Sequence, residues 1–501
     1  MLSKSHINRH QTWLRDILCL AGLFLFLYTF WLGSYPLFTP DEGRYSEVAR
    51  EMVASGDYVT PRVNGVAFLD KPVLYYWLQA LSITLFGIKE WALRLFPALF
   101  GILGCIMTYV CGRQLFDRRT GILSSIILAT TPLYFGSAHY ANLDLEVAVL
   151  ISCTLLCLIT AIQSHGKQQT YFYLTTYLFA ALAFLTKGLI AIAFPGLIGL
   201  IWMGLSNRWD ILRKMHLIKG AIMFVALVLP WYILVQKANP EFLHFFFVTQ
   251  QVTRFLSAAE FNNPTPFWFY LPVVLLGFLP WTLFLFQAIR HRIKNPISLY
   301  FLLWIGIIFI FFSIPRSKTV GYILPIFPAL ALLVGHYLSS RWEKISTYFW
   351  LCTLGSITFL IITLFYANDL NDRTTKPLIT ELKAIITPQD EVIHYFKFYQ
   401  DVPLYLERRV TLVADWHAPD IAQRDNWVRE LWYGMPFQDT ADWLIQEDTF
   451  WQRYNSEKRV FVFVNTNYFD QFKLHALHYF IIKQYQDTIL LSNKPTLLTR
   501  R

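Results

Sequence analysis

The sequence predicts a polytopic α-helical membrane protein with a small α/β region outside the membrane at its C-terminal end. Three observations predict it. The 501 residues are 55% hydrophobic and only 15% charged, where soluble domains carry roughly 25% charged residues. Long apolar segments recur from residue 17 to residue 366, far more than one cleavable leader explains. Beyond residue 366 the apolar density falls and short mixed elements take over.

The first segment, 17–32, follows a basic start (Lys4, Arg9, Arg15) and lacks a small-residue cleavage site, so it reads as a retained span. Further spans fall at 91–112, 121–136, 145–163, 171–186, 189–205, 217–236, 267–289, 297–314, 320–338 and 347–366. Several are shorter than the ~20 apolar residues that cross a bilayer, so their ends are loose. Segment 73–86 is long enough only for an interfacial or re-entrant helix. The count is about 11–13 transmembrane helices.

Positive charge orients them. Arg113, Arg118 and Arg119 share one connector, and Arg208, Arg213, Lys214 and Lys219 another. Arg290, Arg292 and Lys294 lie in a third, Arg341 and Lys344 in a fourth. With eleven alternating spans all four fall on the side of the basic N-terminus, the cytoplasm. The net charge of +10 is then topogenic and calls for no nucleic acid. The polar motifs all fall on the opposite side, within 35–90, 138–144, 187–188, 237–266, 316–318 and the tail. None of the six cysteines lies in that tail, so no disulfide framework is expected.

The organisation is a membrane region 1–366, including an outer-face loop 33–90 with amphipathic helices, and an extramembrane region 367–501. In the latter, 392–398 and 459–464 read as buried strands and 377–386 and 439–453 as helices. It has no glycine-rich phosphate loop, nucleotide fingerprint or Cys/His metal spacing. An activated substrate for this face therefore arrives in the lipid.

Residues 39–56 read as one helix lying along the membrane surface. Thr39 is placed to cap it, Pro40 suits its first turn, Glu42 completes a capping box, and Gly56 closes it. Asp41 sits in the first turn, where the helix dipole favours a carboxylate; as an isolated residue it is equally a helix-start residue. Leu69-Asp70-Lys71-Pro72 follows, its lysine either a snorkelling side chain or a point charge for a lipid phosphate. Asn142-Leu143-Asp144 and Lys187-Gly188 put two further charges on the same face, where each costs about 2.5–3.5 kcal/mol at bilayer depth. Four such charges favour a shared polar cavity. Arg254, Arg316, Lys318 and Tyr322 add an anion-binding set, Arg as a bidentate fork and Lys as a point charge.

Taken in order, Thr39-Pro40-Asp41-Glu42-Gly43-Arg44-Tyr45, Leu69-Asp70-Lys71-Pro72, Asn142-Leu143-Asp144, Leu185-Thr186-Lys187-Gly188 and Ser317-Lys318 with Tyr322-Ile323-Leu324-Pro325 resemble the lipid-carrier-dependent GT-C glycosyltransferases. The chain is most similar to the bacterial lipid A aminoarabinose transferases, relatives of the protein O-mannosyltransferases. The resemblance implies a GT-C fold in the bacterial inner membrane. It also implies a sugar donor linked to polyprenyl (undecaprenyl) phosphate and inverting transfer to lipid A or a related glycolipid at the periplasmic face. By it Asp41 is the central carboxylate and Asp144 assists. Lys71, Arg254 and Tyr322 hold the carrier phosphate, joined by Lys187 and Lys318, with Glu42, Arg44 and Arg316 in support.

Two positions depart from that pattern. In those transferases a Glu precedes the lysine matching Lys71, and a His in a Glu-His pair helps bind a metal. Here the first position is Asp70, a remaining candidate metal carboxylate, and the pair reads Gln250-Gln251. A protein hydroxyl is the alternative acceptor. A flippase for the lipid-linked sugar is the alternative of another class, and it predicts two repeated halves with broken helices in matching positions.

Overall fold

A computed structural model describes residues 2–253, 265–292, 296–424 and 426–496. Arg254 lies outside the described residues. All eleven expected spans sit on helices. Among the described residues, seven helices are long and apolar enough to cross a membrane, or nine if each of two bent pairs is one span. The expected spans at 171–186 and 189–205 lie in the helices Gly166–Lys187 and Ile190–Leu205. The helix Leu143–Gln163 is buried along its whole apolar length and forms the centre of the bundle. By contrast, Thr12–Thr29 and Leu217–Ala238 leave most of their apolar surface outward, as lipid-facing helices do.

Two expected spans are broken. Segment 121–136 divides into Arg118–Ala129 and Pro132–Ala138, bent by 66°. Thr131 precedes a proline and is extended (φ −77°, ψ 123°), the conformation that position favours. Segment 267–289 divides into Phe267–Gly277 and Trp281–Arg290, bent by 102°, across a Gly-Phe-Leu-Pro sequence whose proline has no N–H to continue the helix.

The helix at 39–56 spans Asp41–Ser55 and closes at Gly56 in the left-handed conformation, as expected. Its capping box does not form. The Thr39 hydroxyl donates to the Arg373 carbonyl, and Glu42 turns inward instead. Nor does the helix lie open on the membrane surface: Glu47 and Arg50 are buried and paired at 2.6 Å. The C-terminal region covers this helix. Gly43 packs so closely on the backbone of Asp401 that a Cβ would stand 2.9 Å from its nitrogen. Asn64 and Val410 exchange two hydrogen bonds (3.0 and 2.9 Å), and Asn371 donates to the carbonyls of Pro36 and Leu37.

A hairpin of β1 (Arg62–Val63) and β2 (Val66–Ala67) leads to the helix Leu74–Phe86. The C-terminal region is built on a six-stranded sheet. Its strands are β3 (Glu391–Tyr395), β4 (Thr411–Val413), β5 (Leu444–Ile445), β6 (Val460–Asn465), β7 (Phe480–Tyr485) and β8 (Thr488–Ser492), in the order β5-β4-β3-β6-β8-β7. β3, β4, β5 and β6 pair in parallel, and the β7–β8 hairpin adds antiparallel to β6. β6 reads Val-Phe-Val-Phe-Val and is buried on both faces, as an inner strand covered on both sides of its sheet must be. The expected helix at 439–453 is shorter, Glu447–Tyr454, because Leu444–Ile445 is drawn into the sheet.

Candidate functional site

Seven of the residues singled out in the sequence line one cavity of about 290 Å³: Asp41, Arg44, Asp70, Lys71, Asp144, Lys187 and Tyr322. Helix ends bring them there. Asp41 is the first residue of its helix. Asp144 is the second residue of the helix Leu143–Gln163, whose start is capped by the Asn142 side chain accepting from the Asp144 N–H. Lys187 is the last residue of the helix Gly166–Lys187. Two helix starts thus present carboxylates and one helix end presents an ammonium, the arrangement each dipole favours.

The charges are paired inside the cavity. Arg44 donates to Asp41 at 2.5 Å and to both oxygens of Glu430 at 2.7 Å. Lys187 lies 2.5 Å from Asp144 and 4.2 Å above the Tyr322 ring. Lys71 donates to the Asp70 carbonyl at 3.2 Å. A third of the Asp41 side chain remains open to the cavity, yet it has lost enough water that burial raises its pKa. Arg44 opposes that rise, and the carboxylates of Asp144 and Glu430 add to it.

Three expected residues are elsewhere. Glu42 stands behind the cavity, fully buried, accepting from Phe38 N, Ala141 N and both Nε and Nη2 of Arg94. Lys318 is buried away from the cavity, because its ammonium donates to the carbonyls of Thr265 and Pro315 and so fastens a loop. Arg316 is exposed and does not line the cavity. Arg254, as noted, is not among the described residues.

The structure also adds residues that the sequence did not single out. Arg429, Glu430 and Tyr433 reach the cavity from the six-residue helix Trp427–Trp432 and its end. Asn426 caps that helix, and an Asn before an acid-bearing aromatic run was the available signal. Arg94 was missed because one arginine at the head of a span looks like an interface anchor.

A second chamber of about 370 Å³ meets the first at Asp41, Asn142, Asp144 and Thr319. Leu133, Leu145 and Val320 make its wall apolar. A polar chamber and an apolar one therefore share two carboxylates.

A metal fits poorly at Asp70. Its Oδ1 accepts from the Gln250 amide at 3.2 Å, and no group of three His, Cys, Asp or Glu side chains stands ready for an ion among the described residues. Structural and catalytic zinc sites take three or four such donors.

The ArnT protein of Cupriavidus metallidurans, solved bound to undecaprenyl phosphate, matches the fold with a TM-score of 0.83. The match covers 96% of this chain and 98% of that one at 24% identity. The chain has the fold of that ArnT structure. Residues 70–234 also match the profile of the dolichyl-phosphate-mannose-protein mannosyltransferase family, a stretch holding Lys71, Asp144 and Lys187. An undecaprenyl phosphate-alpha-4-amino-4-deoxy-L-arabinose arabinosyl transferase of Shewanella sediminis is 34% identical over 363 residues, 69% of this chain and 65% of its own length. A protein of that name, numbered 2, in Proteus mirabilis is 31% identical over 324 residues, 64% of this chain and 58% of its own length. The matched stretch thus spans less than two thirds of either relative.

Proposed function

We propose that this protein is an inverting glycosyltransferase that moves a sugar, aminoarabinose-like or related, from polyprenyl (undecaprenyl) phosphate to lipid A or a similar glycolipid. The observation that carries the reading is the meeting of two chambers at Asp41 and Asp144. The polar one suits a sugar and its phosphate, and the apolar one suits the chain of a lipid substrate. The names of the relatives and the fold of ArnT support the same chemistry.

In this mechanism an acceptor hydroxyl attacks the anomeric carbon from the face opposite the phosphate. Asp41 takes the hydroxyl proton as the new C–O bond forms. The anomeric C–O(phosphate) bond breaks with its electron pair, leaving polyprenyl phosphate. Lys71, Arg254 and Tyr322 stabilise that phosphate. Asp144, neutralised by Lys187, orients the acceptor. Burial makes Asp41 a stronger base than an exposed aspartate, while Arg44 favours its ionised form.

In the same reading residues 1–366 form the transferase region, with the N-terminus in the cytoplasm, and 367–501 lie in the periplasm over the cavity. Mass spectrometry of lipid A from cells with and without the intact gene tests the function. The expected result is loss of one sugar substituent with the gene. Unchanged lipid A contradicts the acceptor. The match to the mannosyltransferase profile favours a second reading, transfer to a protein hydroxyl; glycan loss from secreted proteins with unchanged lipid A would establish it.

A further inference from the structure

We propose that this chain holds the carrier phosphate without a divalent metal, and that Asp70 and Gln250 form a positioning pair that makes directly the connection a metal would otherwise bridge. The proposal rests on the transferase reading above. Asp70 lies in the short link between β2 and the helix Leu74–Phe86, immediately before Lys71. Gln250 belongs to the wide-turn helix His244–Thr253, 180 residues further on. Both line the cavity, and the amide Nε2 donates to the carboxylate across this gap at 3.2 Å.

The donor chemistry argues against an ion here. With its N–H₂ turned to Asp70, the Gln250 amide presents hydrogen where a cation needs a lone pair. An imidazole at the neighbouring position would supply a strong nitrogen ligand, but the residue there is Gln251, and metals that favour nitrogen and sulfur bind amide oxygen weakly. Lys71 already directs its ammonium to the Asp70 carbonyl at 3.2 Å, so a fixed positive charge sits on the turn where a dication would have to go. The Gln250 amide, being neutral, adds no charge that would compete with Lys71 for the phosphate.

The link has a geometric consequence. It fixes the turn that carries Lys71 against the helix on the other side of the cavity. Gln250 is a positioning residue, and its loss should be felt in donor binding first.

The test uses the full-length protein in detergent or nanodiscs. Elemental analysis gives its metal content, and tryptophan fluorescence titration with undecaprenyl phosphate gives affinity with and without EDTA. The expected results are far less than one metal ion per chain and the same affinity in EDTA. Gln250→Ala should weaken binding about tenfold, the loss of one hydrogen bond to a carboxylate. Gln250→Glu should weaken it further by setting two carboxylates together. Both variants should raise KM for the donor and leave kcat within about twofold. A stoichiometric divalent ion, whose removal abolishes binding and whose return restores it, would overturn the proposal. So would unchanged affinity in both variants. If the wild type binds no polyprenyl phosphate at all, the transferase reading and the phosphate half of this proposal fail together, and metal content with melting temperature decides the Asp70–Gln250 pair. A stoichiometric metal, or a Gln250→Ala variant as stable as the parent, overturns it; a metal-free protein destabilised by Gln250→Ala supports it.

Discussion

Arg44 and Glu430 are joined by two hydrogen bonds of 2.7 Å across 386 residues of sequence. Both come from Nη1; Nη2 of the same guanidinium donates to Asp41 at 2.5 Å. The C-terminal region therefore grips the cation that tunes the central carboxylate. Opposite charge favours the ionised form of Asp41, and like charge disfavours it.

Replacing those partners should move Asp41 in opposite directions. Arg44→Gln removes the cation, so the Asp41 pKa rises and the acid limb of kcat/KM moves to higher pH. Glu430→Gln removes a carboxylate, so the limb moves to lower pH, with a fall in rate as Arg44 loses an anchor. pH–rate profiles of both variants check this. A limb that stays in place in both would show that Asp41 is not the titrating base.

Arg94 tests what builds the site rather than what reacts there. Its five N–H groups are all used, two on Glu42 and three on the carbonyls of Leu32, Tyr35 and Pro36. The pair is fully buried. Arg94→Ala leaves the buried Glu42 without its counter-ion, and breaking such a pair costs about 3–5 kcal/mol. The variant should melt well below the parent or fail to accumulate. A melting temperature within about 2 °C of the parent would contradict that role.

Gly321 is kept small by Asp144. A Cβ there would lie 2.6 Å from Oδ2 and 2.8 Å from the Asp144 Cβ. Gly321→Ala must push Asp144 aside and disturb its 2.5 Å contact with Lys187. The expected outcome is about a hundredfold loss of kcat/KM, as for a misplacement of roughly 1 Å, with abundance little changed.

His394 provides a pH test of stability outside the membrane. It is buried in β3 and accepts from the Tyr399 N–H at 3.3 Å, and burial pushes its pKa down from 6.5 to about 3. The unfolded chain therefore binds the proton more readily. This contribution is present above pH 6.5 and is lost as pH falls toward 3, at up to about 1.4 kcal/mol per unit. His394→Gln should flatten the fall in melting temperature between pH 7 and 5. Parallel curves for parent and variant would contradict it.

The helices of the membrane region were legible because lipid imposes one rule on all of them: long apolar runs with charge at their ends. For the same reason Asp41, Lys71, Asp144 and Lys187 stood out, each a charge where charge is costly. The bends at Pro132 and Pro280 were less legible because composition runs straight through them. Glu430 was not legible, since a glutamate in a soluble-looking segment has many ordinary uses. Its meaning comes from docking, which buries Glu47 and Arg50 on a helix that the sequence lays along the membrane surface. Lys318 shows the converse: a cation in a family-like motif whose ammonium is taken up by two backbone carbonyls.

The central claim is that Asp41 is the base in sugar transfer from polyprenyl phosphate. Single-turnover transfer by purified Asp41→Asn, alongside its affinity for undecaprenyl phosphate, tests it most directly. The account predicts binding close to that of the parent and a transfer rate lower by about 10²–10⁴-fold, the usual contribution of a general base. Transfer within about tenfold of the parent at equal binding would contradict it.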